Sequence, residues 1–230
     1  MLTKEAGWLE TELARLPSTE LDPLLCIGSG TAHSREVLQP WINERVYRPL
    51  AERGVRTIHH EYVEGPGVDI AGDLADPDLG ERLRATGATS VLCCNVLEHL
   101  EDRSAAVALL DSLLAPGTHL ILSVPRRFPY HPDPIDTMYR PSVAELAAEF
   151  PGLELDRAEE VECGTLLSYL RRSGSLKTSI VNGLKVALGR KGGEEKPVAD
   201  TDERPPGAGA LGYLFRQTAV TCAILRRPAD

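Results

Sequence analysis

Residues Ser90–Pro125, SVLCCNVLEHLEDRSAAVALLDSLLAPGTHLILSVP, read as a strand, a helix and a second strand in direct succession. Ser90-Val91-Leu92-Cys93-Cys94 is apolar on both sides, as a strand covered on two faces must be. Ser104–Leu114 reads as a helix that stops at Ala115-Pro116-Gly117, a turn through which a helix does not continue. The run His119–Val124 is the next buried strand. Such a unit places its strands parallel in one sheet, with the helix crossing one face.

Upstream, Leu24-Leu25-Cys26-Ile27 is a short apolar strand that ends in Gly28-Ser29-Gly30. A Glu-, Arg- and Leu-rich helical stretch follows from about Ser34 to Arg53. Pro40 and Pro49 lie inside it, and an interior proline removes a hydrogen bond and clashes with the preceding turn, so two pieces are expected. Val55–Val63 and Val68–Asp73 read as further strands. Downstream, Ser142-Val-Ala-Glu145 is a capping box, and Val143, Leu146, Ala147 and Phe150 form the apolar stripe of a helix on a sheet. Glu154–Cys163 and Gln217–Leu225 complete the strands. The alternation predicts an α/β fold with a mostly parallel sheet covered on both faces.

The chain has 230 residues, 42% apolar and 26% charged, values of an ordinary globular protein. One domain (1–230) is expected, with two additions. An amphipathic helix with Leu9, Leu13 and Leu16 in register makes 1–20 an N-terminal appendage. Residues 164–212 form an insert before the last strand, of which 192–212, rich in Pro, Gly and charge, reads as a mobile loop. No run is long enough to span a bilayer and the first residues lack a secretory pattern, so the cytoplasm is expected. Five cysteines at irregular spacing read as reduced core residues rather than metal or redox pairs.

The net charge of −9 argues against nucleic acid as a partner. Six basic residues and no acidic one lie between Arg171 and Gly193, so the remainder carries −15. Lys177 interrupts the apolar sector of Leu176, Ile180 and Leu184, which argues against membrane contact. A lid or homodimer element over a substrate site is the expected role of this segment.

Gly28-Ser29-Gly30, between a buried strand and a helix, allows close approach of a ligand to backbone amides. A dinucleotide fingerprint wants a third glycine where His33 stands, which disfavours nicotinamide or flavin binding. Open α/β sheets bind ligands at the carboxyl ends of their strands. Glu61 stands at one such end and suits ribose hydroxyls, with Glu64 as a competitor. Asp73 stands at another and suits an exocyclic amine, or serves only its own turn. His131, in YHPDPID, is either a base for a hydroxyl acceptor or a structural loop histidine. Asp133 and Asp136 add hard ligands beside it, but between prolines they are expected to satisfy backbone amides, and no metal is expected. Glu98 and His99 point in different directions on a helix and read as capping and packing residues.

CIGSGTA (26–32), GVDIAGDLAD (67–76), NVLEHLEDRSAAVALLDSLLAPGTHLILSVP (95–125) and RRFPYHPDPIDTMYRPSVAELAAEF (126–150) together resemble class I S-adenosylmethionine-dependent methyltransferases, specifically a small-molecule subgroup. The resemblance covers about Leu24 to Phe150. It implies a Rossmann-like seven-stranded sheet of order 3-2-1-4-5-7-6 with the last strand antiparallel. It implies Gly28, Ser29 and Gly30 at the methionine part of the cofactor, Glu61 at the ribose, Asp73 with Leu74 at the adenine, and Asn95 with Val96 beneath the sulfonium. It implies O- or N-methylation of a small molecule, with S-adenosylhomocysteine as product. Cys26 departs from the acidic residue often found before the glycine loop. About 30 residues separate Gly30 from Glu61, against about 20 in dinucleotide folds. A non-catalytic partner subunit of the same fold and a nicotinamide-dependent oxidoreductase are the competing expectations.

Overall fold

The apolar runs form seven strands: β1 (Leu24–Ile27), β2 (Thr57–Glu61), β3 (Ile70–Ala71), β4 (Ser90–Cys94), β5 (His119–Arg127), β6 (Glu154–Thr165) and β7 (Gln217–Arg226). They build one sheet in the order β3-β2-β1-β4-β5-β7-β6. Neighbours from β3 to β5 pair in parallel, with Leu25 opposite both Ile58 and Val91, and β7 runs antiparallel to β5. This computed structural model describes residues 1–131, 135–172 and 215–229. Among the described residues no helix is long and apolar enough to cross a membrane.

Met1–Cys163 and Ala219–Asp230 make one compact unit, and Gly164–Thr218 a second. In the first, alternate strand residues feed two cores. Leu25, Ile27, Val91, Cys93, Leu120 and Leu122 pack beneath helices α5 (Pro77–Arg84), α6 (Arg103–Ser112) and α7 (Val143–Ala148). Leu24, Cys26, Leu92 and Ile121 pack beneath α1 (Thr3–Arg15), α3 (Pro40–Ile42) and α4 (Arg48–Glu52). Helices thus cover both faces of the central strands, which is why β1, β4 and most of β5 are buried on both sides. The first helix, expected as an appendage, buries Ala6, Leu9 and Leu13 in the second core. A short α2 (Ser18–Leu21) leads into β1. All five cysteines are free, with Cys26, Cys93 and Cys222 buried.

The stretch from Ser34 breaks at Gln39, whose backbone leaves the helical region (φ −133°, ψ 65°), immediately before Pro40. Pro49 causes no second break: it lies in the first turn of α4, where no amide donor is required. A π-helical turn, Asn43–Tyr47, joins α3 to α4, and another, Ser34–Leu38, precedes Gln39. The expected strand over Val68–Asp73 contracts to two residues at the sheet edge. The sequence reading did not anticipate α5, although Asp76 caps it through Asp78 N and Pro77 occupies its first turn.

In the second unit, α8 spans Leu166–Arg172. Leu166 N donates to Arg216 O (3.2 Å) and Thr218 Oγ1 to Gly164 O (2.8 Å). The remaining basic residues of 171–193 and the loop 192–212 lie outside the described residues.

Candidate functional site

The parallel strands end in connections that meet one another. β1 runs into Gly28 (φ +61°) and Gly30 (φ +72°), left-handed conformations that favour glycine. A Cβ on Gly28 would lie 2.3 Å from Val96 Cγ2, so this loop packs directly on the residue after Asn95. Ser29 N donates to His60 O (3.0 Å), and Gly30 N donates to Glu61 Oε2 (2.7 Å). Glu61 Oε1 accepts from Tyr62 N (2.8 Å). The structure therefore brings Glu61 to the glycine loop although it lies 31 positions beyond Gly30. The extra length is taken up by the broken helical stretch after Ser34.

Arg35, only 5% exposed, holds the loop from behind. Its guanidinium donates to Ser29 Oγ (3.3 Å), Gly30 O and Gly67 O (2.8 Å), and lies over the Tyr47 ring. Sequence reading passed over Arg35 because a lone arginine in a charged helix carries no local signal.

Gly72 N donates to Glu61 O (3.0 Å), placing Asp73 just beyond the end of β2. Asp73 is exposed and its Oδ1 accepts from Ala75 N (2.9 Å), so it shapes its own turn. Leu74 packs against the first core. Glu64 lies exposed in the turn after β2.

Asn95 ends β4 with φ +54°, an uncommon backbone for a residue with a side chain. Its amide donates to Ser123 O (2.8 Å) and its Nδ2 to Glu5 Oε1 (2.7 Å). Glu5, fully buried, also accepts from Ser123 Oγ (2.5 Å) and Leu2 N (2.7 Å). A carboxylate on the apolar face of α1, one turn before Leu9, is the sequence signal that marks it. It ties that helix to the residue after β4 and to the middle of β5.

The next residues do not cap a helix. Leu97–His99 form a 3-10 turn, and α6 is capped instead by Asp102, whose Oδ1 accepts from Ala105 N (3.3 Å). Glu98 is fully buried, and among the described residues neither carboxylate oxygen has a hydrogen-bond partner. Burial pushes its carboxyl up to about 8. Its Oε1 lies 3.7 Å from His99 Nε2.

The loop after β5 packs on this turn. Thr137 N and Oγ1 both donate to Glu98 O (2.9 and 3.0 Å), and His99 Nδ1 donates to Ile135 O (2.5 Å). His131 stacks edge-on against His99 and Phe128, with centroids 5.2 and 5.4 Å away. Its Nδ1 donates to Pro129 O (3.3 Å) and lies 3.0 Å from Asp136 Oδ2, which accepts from His131 N (3.1 Å) and Arg140 Nη2 (2.6 Å). Asp136 Oδ1 accepts from Met138 N (2.8 Å). Burial opposes ionisation of Asp136, but these donors outweigh it and hold its carboxyl below the usual range. Burial likewise lowers the His131 imidazole, more than the Asp136 carboxylate restores. Asp133 lies outside the described residues.

No protein-family model and no curated protein matches the sequence. Solved structures do. A chain of the Haloferax volcanii complex between the Trm112 methyltransferase activator and a candidate methyltransferase superposes with a TM-score of 0.52 at 16% identity, over 99% of this chain and 92% of that one. Coclaurine N-methyltransferase bound to N-methylheliamine and S-adenosylhomocysteine superposes with a TM-score of 0.51 at 12% identity, over 94% and 70%. The fold is that of the class I S-adenosylmethionine-dependent methyltransferases, with their seven-stranded order and antiparallel last strand.

Proposed function

We propose that this chain is an S-adenosylmethionine-dependent methyltransferase acting on the oxygen or nitrogen of a small molecule. The observation that carries the reading is the joining of three strand ends: Gly28 against Val96, and Gly30 N on the Glu61 carboxylate. The fold admits a ligand at this edge, and the absent Cβ at Gly28 leaves the backbone close to its surroundings.

Gly28, Ser29 and Gly30 would line the methionine part, Glu61 would accept from the ribose hydroxyls, and the exposed Asp73 would accept from the adenine amine, with Leu74 beside it. Asn95 and Val96 would form the floor. Bound there, the cofactor supplies an electrophilic methyl group and leaves as S-adenosylhomocysteine. The protein's own task is to align acceptor and methyl and to exclude water. His131 is the proposed catalytic residue: with Nδ1 held on Pro129 O beside Asp136, its Nε2 is the nitrogen left to take a proton from an acceptor.

Calorimetric titration with S-adenosylhomocysteine tests the reading. Wild type should bind, and Asp73→Ala should bind about tenfold more weakly for the loss of one hydrogen bond to a polar ligand. No heat and no melting shift at millimolar ligand would exclude the cofactor, and stabilisation by a nicotinamide cofactor instead would favour an oxidoreductase. Binding without release of S-adenosylhomocysteine across a panel of acceptors would favour a non-catalytic partner subunit.

A further inference from the structure

We propose that Glu98, His99 and His131 bind a first-row divalent metal ion of the zinc type. One ligand atom from each of the three lies within 4.8 Å of the other two. Coordination at about 2.0–2.2 Å would draw such atoms to roughly 3–3.5 Å of one another.

Three observations converge on a cation. Glu98 is fully buried, yet among the described residues neither of its oxygens meets a donor. A buried carboxylate without partners is costly, and the common solutions are pairing or a metal. Arg140 makes no hydrogen bond to it: its guanidinium is committed to Asp136, Phe128 O and Tyr139 O, and only its charge reaches Glu98.

Both histidines, moreover, are set in the orientation of metal ligands. His99 spends Nδ1 on Ile135 O, and His131 spends Nδ1 on Pro129 O, with Asp136 Oδ2 3.0 Å from the same nitrogen. Each ring thereby presents its Nε2 lone pair, and the carboxylate behind His131 is the outer-shell partner that metal-bound histidines typically have. The backbone reinforces the arrangement, since Thr137 grips Glu98 O twice and holds the loop of His131 against the turn of Glu98. Asp136, saturated by its own donors, stays outside the ligand set.

Two imidazoles and one carboxylate suit zinc and its neighbours far better than magnesium, which prefers oxygen donors and near-octahedral water. Three protein ligands leave an open position. Metal binding stands independently of methyl transfer. Its use in the reaction rests on that reading: an acceptor oxygen would occupy the open position and lose its proton to water, replacing His131 as proton acceptor.

The test uses the full chain stripped with chelator and titrated with Zn2+, Mg2+ and Co2+. We expect one Zn2+ per chain, no competition from Mg2+, and a Co2+ spectrum without thiolate charge transfer. Glu98→Gln, His99→Ala and His131→Ala should each weaken Zn2+ by more than about tenfold. Retained binding of S-adenosylhomocysteine and a cooperative melt would show that the variants are folded. Absence of stoichiometric Zn2+ binding by wild type, equal binding by the three folded variants, or thiolate ligation would overturn the proposal. If Zn2+ behaves as expected while S-adenosylhomocysteine fails to bind, the metal site stands and the methyl-transfer reading falls.

Discussion

Gly28 meets two demands at once. Its backbone is left-handed, and the space where a side chain would begin is filled by Val96. Gly28→Ala therefore adds about 1–2 kcal/mol of backbone strain to a direct clash. Urea denaturation should show a loss of at least 2 kcal/mol, with weaker binding of S-adenosylhomocysteine. The glycine pair was legible in the sequence because glycine after a buried strand has few other uses. Glu98 was not: its meaning depends on His131, 33 positions later, and on the absence of donors around it. Read locally, an acidic residue near a helix start is a cap, and only the true cap at Asp102 removes that explanation.

At the level of the element, local chemistry was a good guide where it was self-contained. The capping box before α7 forms as its spacing demands: Glu145 N donates to Ser142 Oγ (3.3 Å) and Ser142 N to Glu145 Oε2 (2.8 Å). Ser142→Ala should cost about 1 kcal/mol, read as a lower urea midpoint at unchanged slope. The edge strand β3 was overestimated because alternation reports a pleated surface and not whether a partner extends along it. The stretch after Ser34 broke where Pro40 required, yet its π-helical turns carry no signature in residue type.

Across the whole molecule, four histidines share one property. Burial holds His59, His60, His119 and His131 below their ordinary protonation range, His59 at about 4. A histidine depressed in the folded state is protonated more readily when unfolded, so its contribution is present above pH 6.5 and is lost as pH falls toward 4. Glu98 opposes this, because its raised carboxyl favours the folded state as pH falls from about 8 toward 4.5. His59 loses its contribution across that whole window, which lowers the melting temperature as pH falls from 6.5 to 4. His59→Gln should reduce that slope, as measured by thermal unfolding at matched ionic strength.

The sequence alone determined the α/β class, the buried strands, the glycine loop and the helix stops, because each depends on periodicity or backbone freedom within a few neighbouring residues. Only the tertiary structure decided that Glu61 reaches the glycine loop, that Glu5 joins α1 to Asn95, and that Glu98, His99 and His131 converge. Those contacts join residues tens of positions apart. Which of them meet is set by strand order and loop packing, and no local pattern encodes the distance between the ends of two strands.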